Sequence, residues 1–147
     1  MNFEMSDQND FYQNDFYQND LDQNDFYLLV AGSRTFTDYS LLQANCDAII
    51  SKQSGKTIHI VSGGARGADA LAEMYSRERD LILHLFPADW NKYGRSAGFR
   101  RNEQMHEFIA RFPFRACICF WDGAITGTLS NFDLCGRFGT PLYLVRF

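Results

Sequence analysis

Five short apolar runs, each followed by a stretch able to turn back as a helix, limit what this chain can fold into. The runs lie at 27–31, 57–61, 81–86, 114–120 and 141–147. They are too short for helices and apolar on both sides of the backbone, as strands covered on both faces are. Helices are predicted over 39–53, with Asp38 placed to cap and Leu41, Leu42, Ile49 and Ile50 in a stripe, and over 67–79, with Ala68, Leu71, Ala72 and Tyr75 together. Two more are predicted over 97–111 and 128–137, and 87–96 reads as a long irregular connection. Strands alternating with helices imply parallel neighbours, because a parallel pair needs a crossover. Crossovers are right-handed. The expected fold class is therefore α/β: a Rossmann-like, doubly wound parallel sheet of about five strands with helices on both faces.

Upstream of the first run the pattern breaks down. The pentad QNDFY occurs at 8–12, 13–17 and 23–27, with QNDLD at 18–22. A period of five collects the aromatics on no single face of a helix or strand. Residues 1–26 are accordingly expected to be a disordered low-complexity tail, and 27–147 the folded domain. The alternative for the tail is an aromatic–acidic segment that binds a partner or a second copy of the chain. Seven of the 18 acidic residues and none of the 14 basic ones fall in the tail, so an acidic extension precedes a domain of net charge +3. Without a base or an apolar core, the tail reads as neither secretory signal nor transit peptide. No run approaches the roughly 20 apolar residues of a membrane span. The four cysteines include no C-x-x-C pair; Cys117 and Cys119 share a strand face and read as buried reduced thiols, which points to a cytoplasmic protein. His59, His84 and His106 lack ligand spacing, so neither a metal nor a cofactor is expected.

Ligands of doubly wound sheets bind at the carboxyl ends of the strands, and the unusual residues of this chain fall there. Gly32, Ser33 and Arg34 follow the first run. Ser62, Gly63, Gly64, Ala65, Arg66, Gly67 and Asp69 follow the second, where free N–H groups at a helix start can hold a phosphate or carboxylate. Asp69 is either an acid complementing the helix dipole or a ligand for ribose hydroxyls. Asp89 and Trp90 follow the third run, Trp90 being either a plug under the loop or a platform for a base. Trp121 and Asp122, then Gly127 and Thr128, follow the fourth. Arg34 suits an anion clamp. Of Arg100 and Arg101, only one can readily face the crevice. Neither G-x-G-x-x-G nor a Walker P-loop is present, nor is a G-x-S-x-G nucleophile elbow.

Gly32-Ser33-Arg34-Thr35-Phe36, Ser62 through Asp69, Phe86-Pro87-Ala88-Asp89-Trp90, Tyr93-Gly94, Ala97-Gly98, Arg101-Asn102 with Met105, and Gly127-Thr128 resemble, in order and spacing, the YspA/YpsA-related branch of the SLOG superfamily. DprA and the Lonely Guy phosphoribohydrolases are relatives in that superfamily. The resemblance spans 27–147 and implies a nucleotide-related ligand at the glycine-rich edge. The Lonely Guy enzymes cleave nucleoside monophosphates with an Arg in R-K-x-x-M and the Glu of G-G-x-G-T-x-x-E. Here Arg101 matches the first, Asn102 replaces the Lys, and Asn131 stands where the Glu would be. An amide cannot serve as general base. The leading expectation is thus a domain that senses or sequesters a phosphorylated ribose compound of the ADP-ribose or NAD-derived kind. Two alternatives stand beside it. One is a nucleotide N-glycosidase, with Arg101 the catalytic candidate and Asp122 or Asp133 replacing the missing carboxylate. The other is DprA-like binding of single-stranded nucleic acid, which +3 drives only weakly. A homo-oligomer is compatible with any of the three.

Overall fold

The computed structural model describes residues 24–124 and 128–147. Five strands form one all-parallel sheet: β1 (Asp25–Gly32), β2 (Thr57–Ser62), β3 (Ile82–Leu85), β4 (Arg115–Trp121) and β5 (Leu142–Arg146). Their spatial order is β3-β2-β1-β4-β5. The chain builds outward from β1 to one side, then returns to β1's other edge and builds outward again, which makes the β1/β4 boundary the point where strand order reverses. Tyr27 pairs with His59 of β2 on one side and Arg115 of β4 on the other.

Alternation along the strands sorts the core into two layers. Phe26, Leu28 and Val30 of β1, with Ile60 and Ile118, pack against α1 (Tyr39–Ile50) and α2 (Ala68–Glu78). Tyr27, Leu29 and Ala31, with Val61, Cys117 and Cys119, pack against α4 (Ala97–Ile109) and α5 (Leu129–Phe138). Leu42, Cys46 and Ile49 of α1 are buried at helical spacing, and Asp38 opens that helix by accepting the Leu41 N–H at 3.0 Å. Gly139, in the left-handed region, closes α5.

Two features differ from the sequence reading. The stretch 87–96 is not wholly irregular: Asp89 accepts the Lys92 N–H and opens a short helix α3 (Trp90–Tyr93), followed by a 3-10 turn at Gly94–Ser96. The first strand also opens at Asp25, two residues early. Asn24 accepts the Thr57 N–H, Phe26 enters the core, and Asp25 Oδ1 lies 2.8 Å from His59 Nε2. The last QNDFY pentad therefore supplies the opening of the central strand. Tyr27 stacks between His59 (4.1 Å between centroids) and Phe112 (3.9 Å). The expectation for residues 1–23 lies outside the described residues. Among the described residues, no helix is long and apolar enough to cross a membrane.

Candidate functional site

Two adjoining cavities open at the strand carboxyl ends, on the β1/β4 reversal. The larger, about 450 Å³, lies between the β1 loop (Gly32 to Thr35), the first half of α4, Asp122, and Thr128 and Asn131 at the start of α5. The smaller, about 330 Å³, lies between the β2 loop (Gly63 to Arg66) and Pro87-Ala88. Arg34, Ala65, Trp90 and Arg101 line both and form the waist between them. The Arg34 guanidinium sits 5.9 Å from the Trp90 ring centroid.

The loops converge because glycine lets them. A Cβ on Gly67 would overlap the Ser33 carbonyl oxygen, which accepts the N–H groups of Phe36 and Ala68. The Ser33 hydroxyl accepts the Asp122 N–H, tying the β1 loop to the β4 loop. Gly63 gives Arg101 room: its carbonyl takes a short bond from Arg101 Nη1, and a side chain there would meet the guanidinium. Arg101 Nε donates to Asn102 Oδ1 at 3.1 Å, and Asn102 Nδ2 donates to Ser130.

Asp69, buried, accepts the Ala65 N–H on Oδ2 at 3.1 Å and so closes the β2 loop on itself. Burial raises its pKa, opposed by the Ala65 bond and by Arg101. Burial lowers the Arg101 pKa; Asp69 opposes this and Arg34 adds to it. Arg101 thus balances Asp69, while Arg34 is exposed and supplies surplus charge. The N–H groups of Arg34, Thr35 and Arg66 have no hydrogen-bond partner among the described residues. Three arginines (Arg34, Arg66 and Arg101) line the smaller cavity, and no carboxylate is among its described lining residues.

Of the expected site residues, Gly32, Ser33, Arg34, Gly63, Gly64, Ala65, Arg66, Asp69, Trp90, Arg101, Asn102, Asp122 and Thr128 line one or both cavities. Four others are placed around the site rather than in it. Ser62 is buried and donates to the Asp69 carbonyl; Gly67 joins two loops; Asp89 caps α3; Trp121 donates to the Ala124 carbonyl and packs on Phe132. Gly127 lies outside the described residues. Phe99 lines the larger cavity without having been singled out in the sequence; Arg95 reaches it from the connection after the third run, and Met105 and Asn131, quoted above only for the resemblance, line it as well. Met105 and Asn131 are buried helix positions indistinguishable from core by spacing, whereas Phe99, 60% exposed at the start of α4, stands out among apolar side chains. Asn131 Oδ1 is 2.9 Å from His106 Nε2.

A sequence profile of the YspA, cpYpsA-related SLOG family matches residues 26–93, from β1 through α3. The "Gene 61 protein" of Mycobacterium phage D29 is 32% identical over 121 residues, spanning 78% of this chain and 92% of that relative. The chain belongs to this SLOG family. The profile takes in the β1 and β2 loops and Trp90, so one wall of each cavity is built from the family's segment. The wall made by α4 and α5 lies beyond it.

Proposed function

We propose that this SLOG protein binds a nucleotide-related ligand, a phosphorylated ribose compound of the ADP-ribose or NAD-derived kind, and acts as a sensing or sequestering domain. The observation that carries this reading is the division of chemistry between the two cavities. The smaller offers three arginines and a glycine-rich turn, the surroundings an anionic phosphate requires. The larger offers Phe99, Met105 and Trp90 for a flat ring, with Asp122, Thr128 and Asn131 for hydroxyl and amino groups. A nucleoside in the larger lobe would extend its phosphates across the Arg34–Trp90 waist into the smaller.

The test is thermal denaturation with AMP, ADP-ribose and NAD as probes. At a hundredfold excess over Kd a ligand adds about 2.7 kcal/mol of stability. ADP-ribose is expected to raise the melting temperature, and Arg34→Ala and Arg66→Ala, both exposed in the free protein, to reduce that rise without lowering the unliganded value. No shift with any probe overturns the reading.

One observation favours the hydrolase alternative: Asp122 lines the same cavity as Arg101, whereas Asp133 is exposed outside it. Asn131, at the position of the hydrolases' Glu, is engaged with His106. Release of free base from nucleoside monophosphates, lost in both Asp122→Asn and Arg101→Ala, would replace binding by catalysis as the conclusion.

A further inference from the structure

Next to Asn131 of the larger cavity, two helices and a strand bring nitrogen and sulfur donors together. His106 of α4, Cys117 of β4 and Cys135 of α5 each place a ligand atom within 4.8 Å of the other two, and all three residues are buried. Linear spacing gave no sign of this, because each donor comes from a different element. A second observation is independent of the clustering. His106 is wholly buried, yet its Nδ1 has no hydrogen-bond partner among the described residues. Its Nε2 is held by Asn131 Oδ1, an amide oxygen that can only accept, so the ring proton sits on Nε2 and Nδ1 carries a lone pair. Metal-bound histidines are oriented in this way by a partner on the other nitrogen.

We propose that His106, Cys117 and Cys135 form a buried binding site for zinc(II). Thiolate and imidazole are the donors zinc prefers. Charge also selects the ion. Two thiolates, a neutral imidazole and a divalent cation sum to zero, whereas copper(I) would leave a negative charge in an apolar core. Binding replaces two S–H bonds with two Zn–S bonds and releases two protons. With Zn–S of about 2.3 Å and Zn–N of about 2.0 Å a tetrahedral site has S–S edges of about 3.8 Å and S–N edges of about 3.6 Å, so the donors must draw in by about 1.2 Å at most. Cys119 Sγ, 3.8 Å from Cys117 Sγ, stays outside this set as a neutral thiol, since a third thiolate would bring the charge to −1. The ion would join α4, β4 and α5, and through Asn131 it would hold a residue that lines the larger cavity. This site is separate from the nucleotide reading and stands or falls without it.

The test uses the full chain, unfolded with reductant and chelator, freed of both, and refolded with cobalt(II), zinc(II) or no metal. One cobalt per chain is expected, with a thiolate-to-metal charge-transfer band, bleaching on zinc addition and release of two protons per zinc. Zinc is expected to raise the melting temperature of the wild type. Cys135→Ser is expected to weaken the charge-transfer band and His106→Gln to shift the ligand-field bands. Asn131→Ala is expected to lower zinc affinity about ten- to a hundredfold. Cys46→Ala, on the opposite face of the sheet, is expected to leave the spectrum unchanged. Substoichiometric metal without a thiolate band overturns the proposal, as do bands that survive both Cys135→Ser and His106→Gln. Should a variant fail to fold, the wild-type stoichiometry, spectrum and zinc-dependent melting decide the question alone.

Discussion

Gly67 and Gly64 share nearly the same backbone angle, φ +74° and +73°, but differ in surroundings: a Cβ on Gly67 would overlap the Ser33 backbone, while one on Gly64 meets nothing within 4 Å. Gly64→Ala is expected to lose only the left-handed backbone preference, about 1 kcal/mol. Gly67→Ala must also push the β1 loop aside and is expected to lose about 1–3 kcal/mol more; paired urea titrations measure the difference. A second residue-scale expectation concerns His84. Its Nε2 is 2.9 Å from His59 Nδ1, and His59 Nε2 is 2.8 Å from Asp25. With His59 donating to the Asp25 carboxylate, its Nδ1 accepts from His84. Burial lowers the His84 pKa, and His59 adds to this. The folded state therefore binds fewer protons than the unfolded one, whose histidine titrates near about 6.5. Stability is full above that value and falls as pH drops below it. Denaturation midpoints across this window are expected to decline toward acid, and less steeply in His84→Gln.

Two aspartate caps that look alike in sequence are expected to behave differently because their helices do different jobs. Asp38 opens the twelve-residue α1, which buries Leu42, Cys46 and Ile49; Asp38→Ala should lower stability by about 1 kcal/mol and leave ligand affinity untouched. Asp89 opens the four-residue α3, which buries nothing but presents Trp90 to both cavities. Asp89→Ala should barely change the melting temperature yet weaken ADP-ribose binding, as isothermal titration would show. The same contrast explains what was legible in the sequence. The helix α1 announces itself by cap and stripe, and the strands by their apolar runs, so sheet and layers could be read directly. The helix α3 has no stripe, and its cap has meaning only once the loop is folded. The β1 and β2 loops were legible as a site because glycine and arginine have few other reasons to cluster there. Met105 and Asn131 were legible only through the family resemblance, and the His106–Cys117–Cys135 group not at all, since its contacts join elements distant in the chain, where a buried polar residue looks like any core position.

For the molecule as a whole, the junction between the pentad repeat and β1 decides how the chain can be shortened. Asp25, Phe26 and Tyr27 belong to both: Asp25 pairs with His59, Phe26 is in the core, and Tyr27 lies between two rings. Removing 23–27 would join Asp22 to Leu28 and put a carboxylate in the place of Tyr27. That deletion is expected to lose about 3–5 kcal/mol or to prevent folding. Removing 18–27 takes away twice as much, yet it joins Tyr17 to Leu28 and brings Asp15, Phe16 and Tyr17 to the places of Asp25, Phe26 and Tyr27. Its melting temperature is expected to stay within about 2 °C of the full chain's. The strand opening is thus spelled more than once in the gene, in blocks of five codons that preserve the reading frame. Gain or loss of whole pentads upstream of 23–27 hands the sheet the same first three residues, whereas loss of 23–27 alone moves the QNDLD block onto the strand, so the last pentad is the one the sheet constrains.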